Sequence, residues 1–231
     1  MRSERVICVI CVVALFRLVV LAGTQSGAPE PAAVSLPETI PIFPLDDVML
    51  FPNSHRPLHI FEPRYRAMVA DALEGNRIIG MVLLVPGFEA DYTGRPPVYP
   101  VGCAGVITNV EPLPDGRYNI VLRGLVKFRI RDEDQSRVYR LARVEAMPET
   151  ADEEERAALG GQRDRLESLL ISIAPGLGPL PEDLADEDLI DGLSQYLDIH
   201  PAERQDLLER EGSLSRAEAL IELLEMKTGP R

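Results

Sequence analysis

The side chains of this 231-residue chain with the clearest capacity for metal binding or nucleophilic chemistry are three histidines, three cysteines and the lysines Lys127 and Lys227. His55 and His59 are four residues apart, a spacing that on a helix would turn two imidazoles toward one metal ion. Pro57 lies between them and the stretch reads as extended, so that geometry fails and a structural or surface role is expected. His200 precedes Pro201 and is expected to cap a helix. Lys127 sits beside Arg129 on an alternating strand, the pattern of a solvated face, and Lys227 lies near the chain end. Neither has the desolvated setting that a Ser–Lys dyad demands of its base. No Gly-x-Ser-x-Gly elbow frames a serine. Neither lysine follows a glycine, so the P-loop signature of the common ATPases is absent. Cys8 and Cys11 fall within the first 33 residues, which leaves Cys103 alone in the body of the chain. In Val101–Val106 it reads as a small buried residue, with no histidine nearby in sequence to activate it. No catalytic, metal-binding or cofactor-binding constellation is expected.

Charge narrows the classes further. The chain carries 24 Lys+Arg against 37 Asp+Glu, a net charge of −13. That balance argues against DNA and against general nucleic-acid binding, which draws on phosphate neutralisation. The one local positive concentration is Arg117, Arg123, Lys127, Arg129, Arg131, Arg137, Arg140 and Arg143, with Tyr118 and Tyr139 among them. An RNA-binding face there is the second reading. It is disfavoured, since Asp132, Glu133 and Asp134 interrupt the run and alternating strands display polar side chains outward. The excess acidity lies almost wholly in residues 149–231, and the change of composition at Met147-Pro148-Glu149 marks a boundary between two units.

The elements that must position these residues follow from periodicity. Residues 1–33 have the layout of a secretory signal, flawed by Arg17 inside the apolar run, or else precede a true start near Val34. The first alternative implies an exported or membrane-tethered protein and the second a cytoplasmic one; either way the segment is set apart from the fold. Thr39–Leu45, punctuated by proline, suits an edge strand. Arg56–Phe61 is a second extended piece, and Arg77–Val85 is apolar on both faces, as for a strand covered on each side. Residues 86–100 form a loop rich in proline and glycine. Val101–Val110 and Arg117–Arg123 flank the Asp115-Gly116 turn of a hairpin. Beyond Gly124, Val126, Phe128 and Ile130 alternate with Lys127, Arg129 and Arg131, and Val138–Met147 closes the set. One helix interrupts the strands: Pro63 opens it, Tyr65, Met68, Val69, Ala72 and Leu73 form its apolar stripe, and Gly75 ends it. Such short strands with hairpin spacing point to a small closed or nearly closed barrel.

From Ala151 the period becomes 3.6. Leu166, Leu169, Leu170 and Ile173 mark one helix, and Pro175–Pro181 is a rigid connector. Leu189, Ile190, Leu193, Tyr196 and Leu197 mark a second helix, and Pro201 opens a third with Leu207 and Leu208. Ser215 and Glu218 form a capping box ahead of Leu220, Ile221, Leu223 and Leu224. An α+β chain is expected, with a β unit over 37–148 and an acidic helical unit over 149–231.

Two stretches, Ile42–Phe51 with Pro52 and Pro57–Tyr65, together resemble the amino-terminal substrate-recognition domain of the ATP-dependent Lon proteases. The resemblance continues in Gly105-Val106-Ile107, Pro114–Arg117, Leu122-Arg123-Gly124, Phe128-Arg129-Ile130 and Pro201–Glu209. One departure is Asn53, where the family usually has glycine, which leaves the shape of that turn open. The resemblance implies a PUA-like β pseudobarrel with one inserted helix, followed by a C-terminal α-helical bundle. It also implies a non-catalytic module that binds unfolded or extended polypeptide. In the full-length proteases separate downstream domains hydrolyse ATP and cut peptide bonds, and this sequence stops before either. A protease or chaperone partner and a homodimer are compatible with such a role. Phe43, Leu45, Phe51, Leu58, Phe61 and Phe88 are the candidate polypeptide-binding residues, because they exceed what one short barrel core needs; some would line a groove between barrel and helices, where an unfolded segment could add alongside an edge strand.

Overall fold

The computed structural model describes residues 35–88, 94–173, 180–181 and 183–228. The leader and most of the Pro175–Pro181 connector lie outside them. Two compact units divide between Pro148 and Glu149. Among the described residues no helix is long and apolar enough to cross a membrane.

The first unit contains β1 (Thr39–Leu45), β2 (His55–Ile60), α1 (Pro63–Glu74), β3 (Ile78–Leu83), β4 (Val101–Pro112), β5 (Tyr118–Asp134) and β6 (Arg140–Met147). Strands run in the order β2-β5-β4-β3-β1-β6, and β6 pairs again with β5. Five strands therefore close into a ring, with β2 added outside it. The pair β1–β3 is parallel and the others antiparallel.

The 17-residue β5 makes this topology. Its first half, Tyr118–Arg123, pairs with β2, and its second half, from Lys127, pairs with β6. The expected break at Gly124 is instead a bulge: Gly105 faces Gly124 while Ala104 faces Val126, leaving Leu125 as the extra residue. A bulge bends and twists a strand without ending it, which lets one strand exchange partners midway.

Gly124 also meets the turn that precedes β2. Its N–H donates to Ser54 O (2.8 Å), and its carbonyl accepts from Asn53 N–H (3.2 Å). A Cβ on Gly124 would fall on the Phe51 carbonyl. Asn53 adopts φ +58°, so the turn keeps the left-handed backbone that glycine would give, through the residue type that best tolerates it.

The expected edge strand β1 lies inside the ring. Its two prolines are accommodated because each half has one partner: Thr39–Ile42 pairs with β6 and Ile42–Leu45 with β3. Each missing N–H thus faces an unpaired side. The barrel interior holds Ile40, Ile42, Ile78, Val82, Ala104, Phe128, Ala142 and Val144. The Phe128 ring rests on two glycines; a Cβ at Gly80 would stand 2.7 Å from its Cζ, and one at Gly102 2.9 Å.

Lys127 is a correction. It is only 2% exposed, not on a solvated face. Its cross-strand neighbour is Cys103, then Met81 and Phe43, and all are buried. The side opposite Phe128 is thus a second packed layer, to which α1 contributes Tyr65 at 4.3 Å from the Phe43 ring. Around Lys127 the alternation of β5 separates two covered faces, while further along the strand Arg131 is exposed. Helix α1 itself follows the expected stripe, burying Tyr65, Met68, Val69 and Ala72 behind Pro63 at its start.

The second unit contains α2 (Glu153–Ile173), α3 (Asp186–Tyr196), α4 (Pro201–Glu209) and α5 (Gly212–Thr228). Leu159, Leu166, Leu170, Leu189, Ile190, Leu193, Leu207, Leu208, Leu220, Ile221 and Leu224 make its core. His200 caps α4: its Nδ1 accepts from Ala202 N–H, and Glu203 accepts from the His200 N–H. Ser215 and Glu218 do not cap α5. That helix begins three residues earlier, at Gly212, whose φ of +80° makes the corner directly after α4.

Arg216, fully buried on α5, donates to Asp191 of α3 (2.5 Å), to Glu149 (2.6 Å) and to the Leu207 carbonyl of α4 (3.2 Å). One guanidinium therefore ties three segments, and removing it strands a buried carboxylate. Arg216→Met is expected to cost about 3–5 kcal/mol, read as a lower urea midpoint. At the crossing, Asn53→Gly should leave stability within about 1 kcal/mol, and Gly124→Ala should lose at least about 3 kcal/mol, since backbone must move.

Candidate functional site

The six candidate polypeptide-binding residues separate. Phe43 (6% exposed) and Phe51 (0%) are core, so they are withdrawn from the site: Phe43 packs on Tyr65, and Phe51 is sealed beneath the Gly124 crossing. Leu45 and Leu58 are half-buried. Phe61 (60%) and Phe88 (46%) stand out into solvent. Leu58 lies in β2 and Phe61 just past its end, three residues on, so strand alternation turns Leu58 to the face opposite His59 and Phe61.

There β2, β5 and β4 enclose an open hollow of about 370 Å³, lined by Pro57, Leu58, His59, Asn109, Glu111, Asn119, Ile120 and Val121. The register places His59 opposite Asn119 and Asn119 opposite Glu111, with Pro57, Val121 and Asn109 in the next row. A polar ladder crosses the first row. Asn119 Nδ2 donates to Glu111 Oε2 (2.8 Å), so its Oδ1 accepts from His59 Nδ1–H (2.7 Å). His59 Nε2 then accepts from Arg117 (3.2 Å), which is also paired with Asp115 (2.6 Å). Phe61 continues the same face, its ring stacked 6.2 Å from His59. Glu62 and Arg64, either side of Pro63, form a 3.0 Å pair at the β2–α1 corner. The ladder was not legible in sequence, because the pairing of β2 with β5 joins residues some sixty positions apart with no local signal.

Strand β2 is the outer strand of the sheet order and pairs with β5. Pro57 in its middle has no N–H to offer, so its outward edge is a broken row of donors. The face is thus better suited to gripping side chains than to adding a full strand.

The basic run is largely neutralised. Arg117 pairs with Asp115, Arg131 with Glu145, Arg137 with Asp71, Arg140 with Glu133 and Arg143 with Asp132. Tyr139 is buried and donates to Asp71 (2.6 Å). Burial, then this bond and the Asp71 charge, push its hydroxyl up to about 12. These groups form no stacking platform on a positive face, which weakens the RNA reading. Cys103 is buried and in no disulfide among the described residues, and among those residues no group of three His, Cys, Asp or Glu could hold a metal ion.

The family described as the ATP-dependent protease La (LON) substrate-binding domain matches residues 39–226. Lon protease 2 of Myxococcus xanthus is 28% identical over 199 residues, covering 83% of this chain and 24% of that protein. Lon protease 2 of Sorangium cellulosum is 32% identical over 160 residues, covering 68% and 19%. The chain spans about a quarter of the length of the curated relatives it matches. The N-terminal domain of Mycobacterium avium complex Lon protease has the same fold, with a TM-score of 0.60 at 18% identity, covering 81% of this chain and 98% of that one. A Lon N-terminal domain protein from Xanthomonas campestris gives 0.56 at 20%, covering 80% and 97%. The α+β architecture is therefore shared with these domains.

One titration bears on the stability of this face. His55, at the start of β2, is held below the usual histidine value by burial first and by the Arg123 charge second. The fold prefers it neutral, so its contribution is complete above about pH 6.5 and is lost as pH falls through the lower folded value. The unfolding midpoint should drop from pH 7.5 to 5, and His55→Gln should flatten part of that slope, as followed by circular dichroism.

Proposed function

The chain belongs to the Lon substrate-binding domain family, and from that premise we propose that it binds unfolded or extended polypeptide on the β2 face without cutting it or turning over ATP. The observation that carries this reading is Phe61, 60% exposed and stacked on His59 beside a hollow lined by Pro57 and Val121. A large aromatic ring left in water forgoes roughly 2 kcal/mol of burial, which a bound apolar side chain would recover. The ladder from Arg117 to Glu111 satisfies its own polar groups and so asks no particular sequence of a ligand, and the broken edge of β2 discourages the chain from adding strands of its own kind. What is bound would be held, or passed to a partner protease or chaperone.

Labelled, denatured casein provides the test. Binding in the micromolar range is expected, weakened about tenfold or more by Phe61→Asp, with the circular dichroism spectrum of Phe61→Asp unchanged. Casein should remain intact during the incubation, with or without ATP. No binding at several tens of micromolar by correctly folded protein would end this reading.

A further inference from the structure

A second hollow, of about 280 Å³, lies elsewhere on the barrel unit, with Arg64, Arg95 and Arg140 and no carboxylate among the described residues that line it. Three guanidiniums in one concavity stand out in a chain of net charge −13. Arg140 is committed, giving two bonds to Glu133 (2.8 and 2.5 Å) and one to the Pro96 carbonyl (2.7 Å). Arg64 is paired with Glu62 and lies 4.5 Å over the Tyr65 ring. Arg95 differs. It is exposed, and its contact among the described residues is a long one, 3.5 Å to the Arg137 carbonyl, with no carboxylate partner. Its fork keeps donors for an incoming anion.

The charge of the described groups around the hollow suits a monoanion. Arg64, Arg95, Arg137 and Arg140 are answered by Glu62, Asp71 and Glu133, which leaves a surplus of one positive charge among the described groups. A monoanion balances it, whereas a dianionic phosphate would overshoot beside three carboxylates. The remaining walls are apolar or aromatic. Tyr139 has its hydroxyl committed to Asp71 and so presents ring, and Val138 is 73% exposed. We propose that this hollow is a carboxylate pocket, in which Arg95 receives the carboxylate of a bound peptide while Val138 and Tyr139 cover an adjoining apolar side chain. The peptidic nature of the ligand rests on the polypeptide-binding reading; the pocket is separate from the β2 face.

Fluorescence anisotropy on the full chain tests it, using a labelled decapeptide ending in Leu-Leu as the free acid, as the amide, and as an amide with an internal Asp. The free acid should bind about tenfold more tightly than the plain amide. Arg95→Gln should remove that difference, Arg95→Lys should restore part of it, and added salt should shrink it. Arg95-dependent binding of the Asp-containing amide would locate the carboxylate on a side chain and support the same pocket. Equal affinity for acid and amide, indifference to Arg95→Gln, or no binding of any peptide would overturn the proposal. Acid–amide equality with casein binding still sensitive to Phe61→Asp would refute the pocket alone. Arg95-dependent acid binding without casein binding would refute the β2 reading alone.

Discussion

The β-rich unit hangs on the place where Gly124 touches the turn at 51–54. Two backbone hydrogen bonds join them, at a distance that leaves no room for a side chain on Gly124. This contact fixes where β5 stops pairing with β2 and, one bulged residue later, starts its run beside β6. Ring closure and the added β2 wing therefore depend on one glycine. It also explains why a Phe-Pro turn and a distant Arg-Gly pair belong to one sequence pattern: they are two sides of one contact. Asn53 keeps that contact by adopting the left-handed backbone itself.

Local signals were enough for much of the fold. Pro63 and the stripe from Tyr65 to Ala72 define α1, Asp115-Gly116 makes the hairpin with Gly116 at φ +79°, and His200 with Glu203 caps α4. The failures share one cause. Gly124 looks like a strand end unless the partner on its other side is known. Lys127 looks solvated because alternation reports that two faces differ, not that one is wet. Arg216 and Asp191 look like surface charges until three segments converge on them. In each case a nonlocal contact overrides a correct local reading.

The same limit governs the candidate site. The excess of bulky apolar residues pointed beyond a core, but the count could not separate Phe51, sealed under the turn, from Phe61, standing out into solvent. Only the register of β2 on β5 divides them, and it also assembles His59, Asn119 and Glu111 into a ladder. Within that ladder the direction of each bond follows from one end. Glu111 can only accept when ionised, so Asn119 gives it the amide N–H and turns its carbonyl to His59, whose other nitrogen then accepts from Arg117.

That chain of obligations bears on how a module of this family could be tolerant of what it binds. A face built on unpaired backbone would impose strand geometry on its ligand and would invite self-association. Here Pro57 removes a donor from the middle of the outer strand, while the ladder satisfies its own polar groups without a ligand. On the proposed reading, what would be left to gain on binding is chiefly apolar contact at Phe61, which is non-directional. Such a surface selects for exposed hydrophobic side chains rather than for a sequence. Exposed hydrophobic side chains are what distinguish an unfolded chain from a folded one.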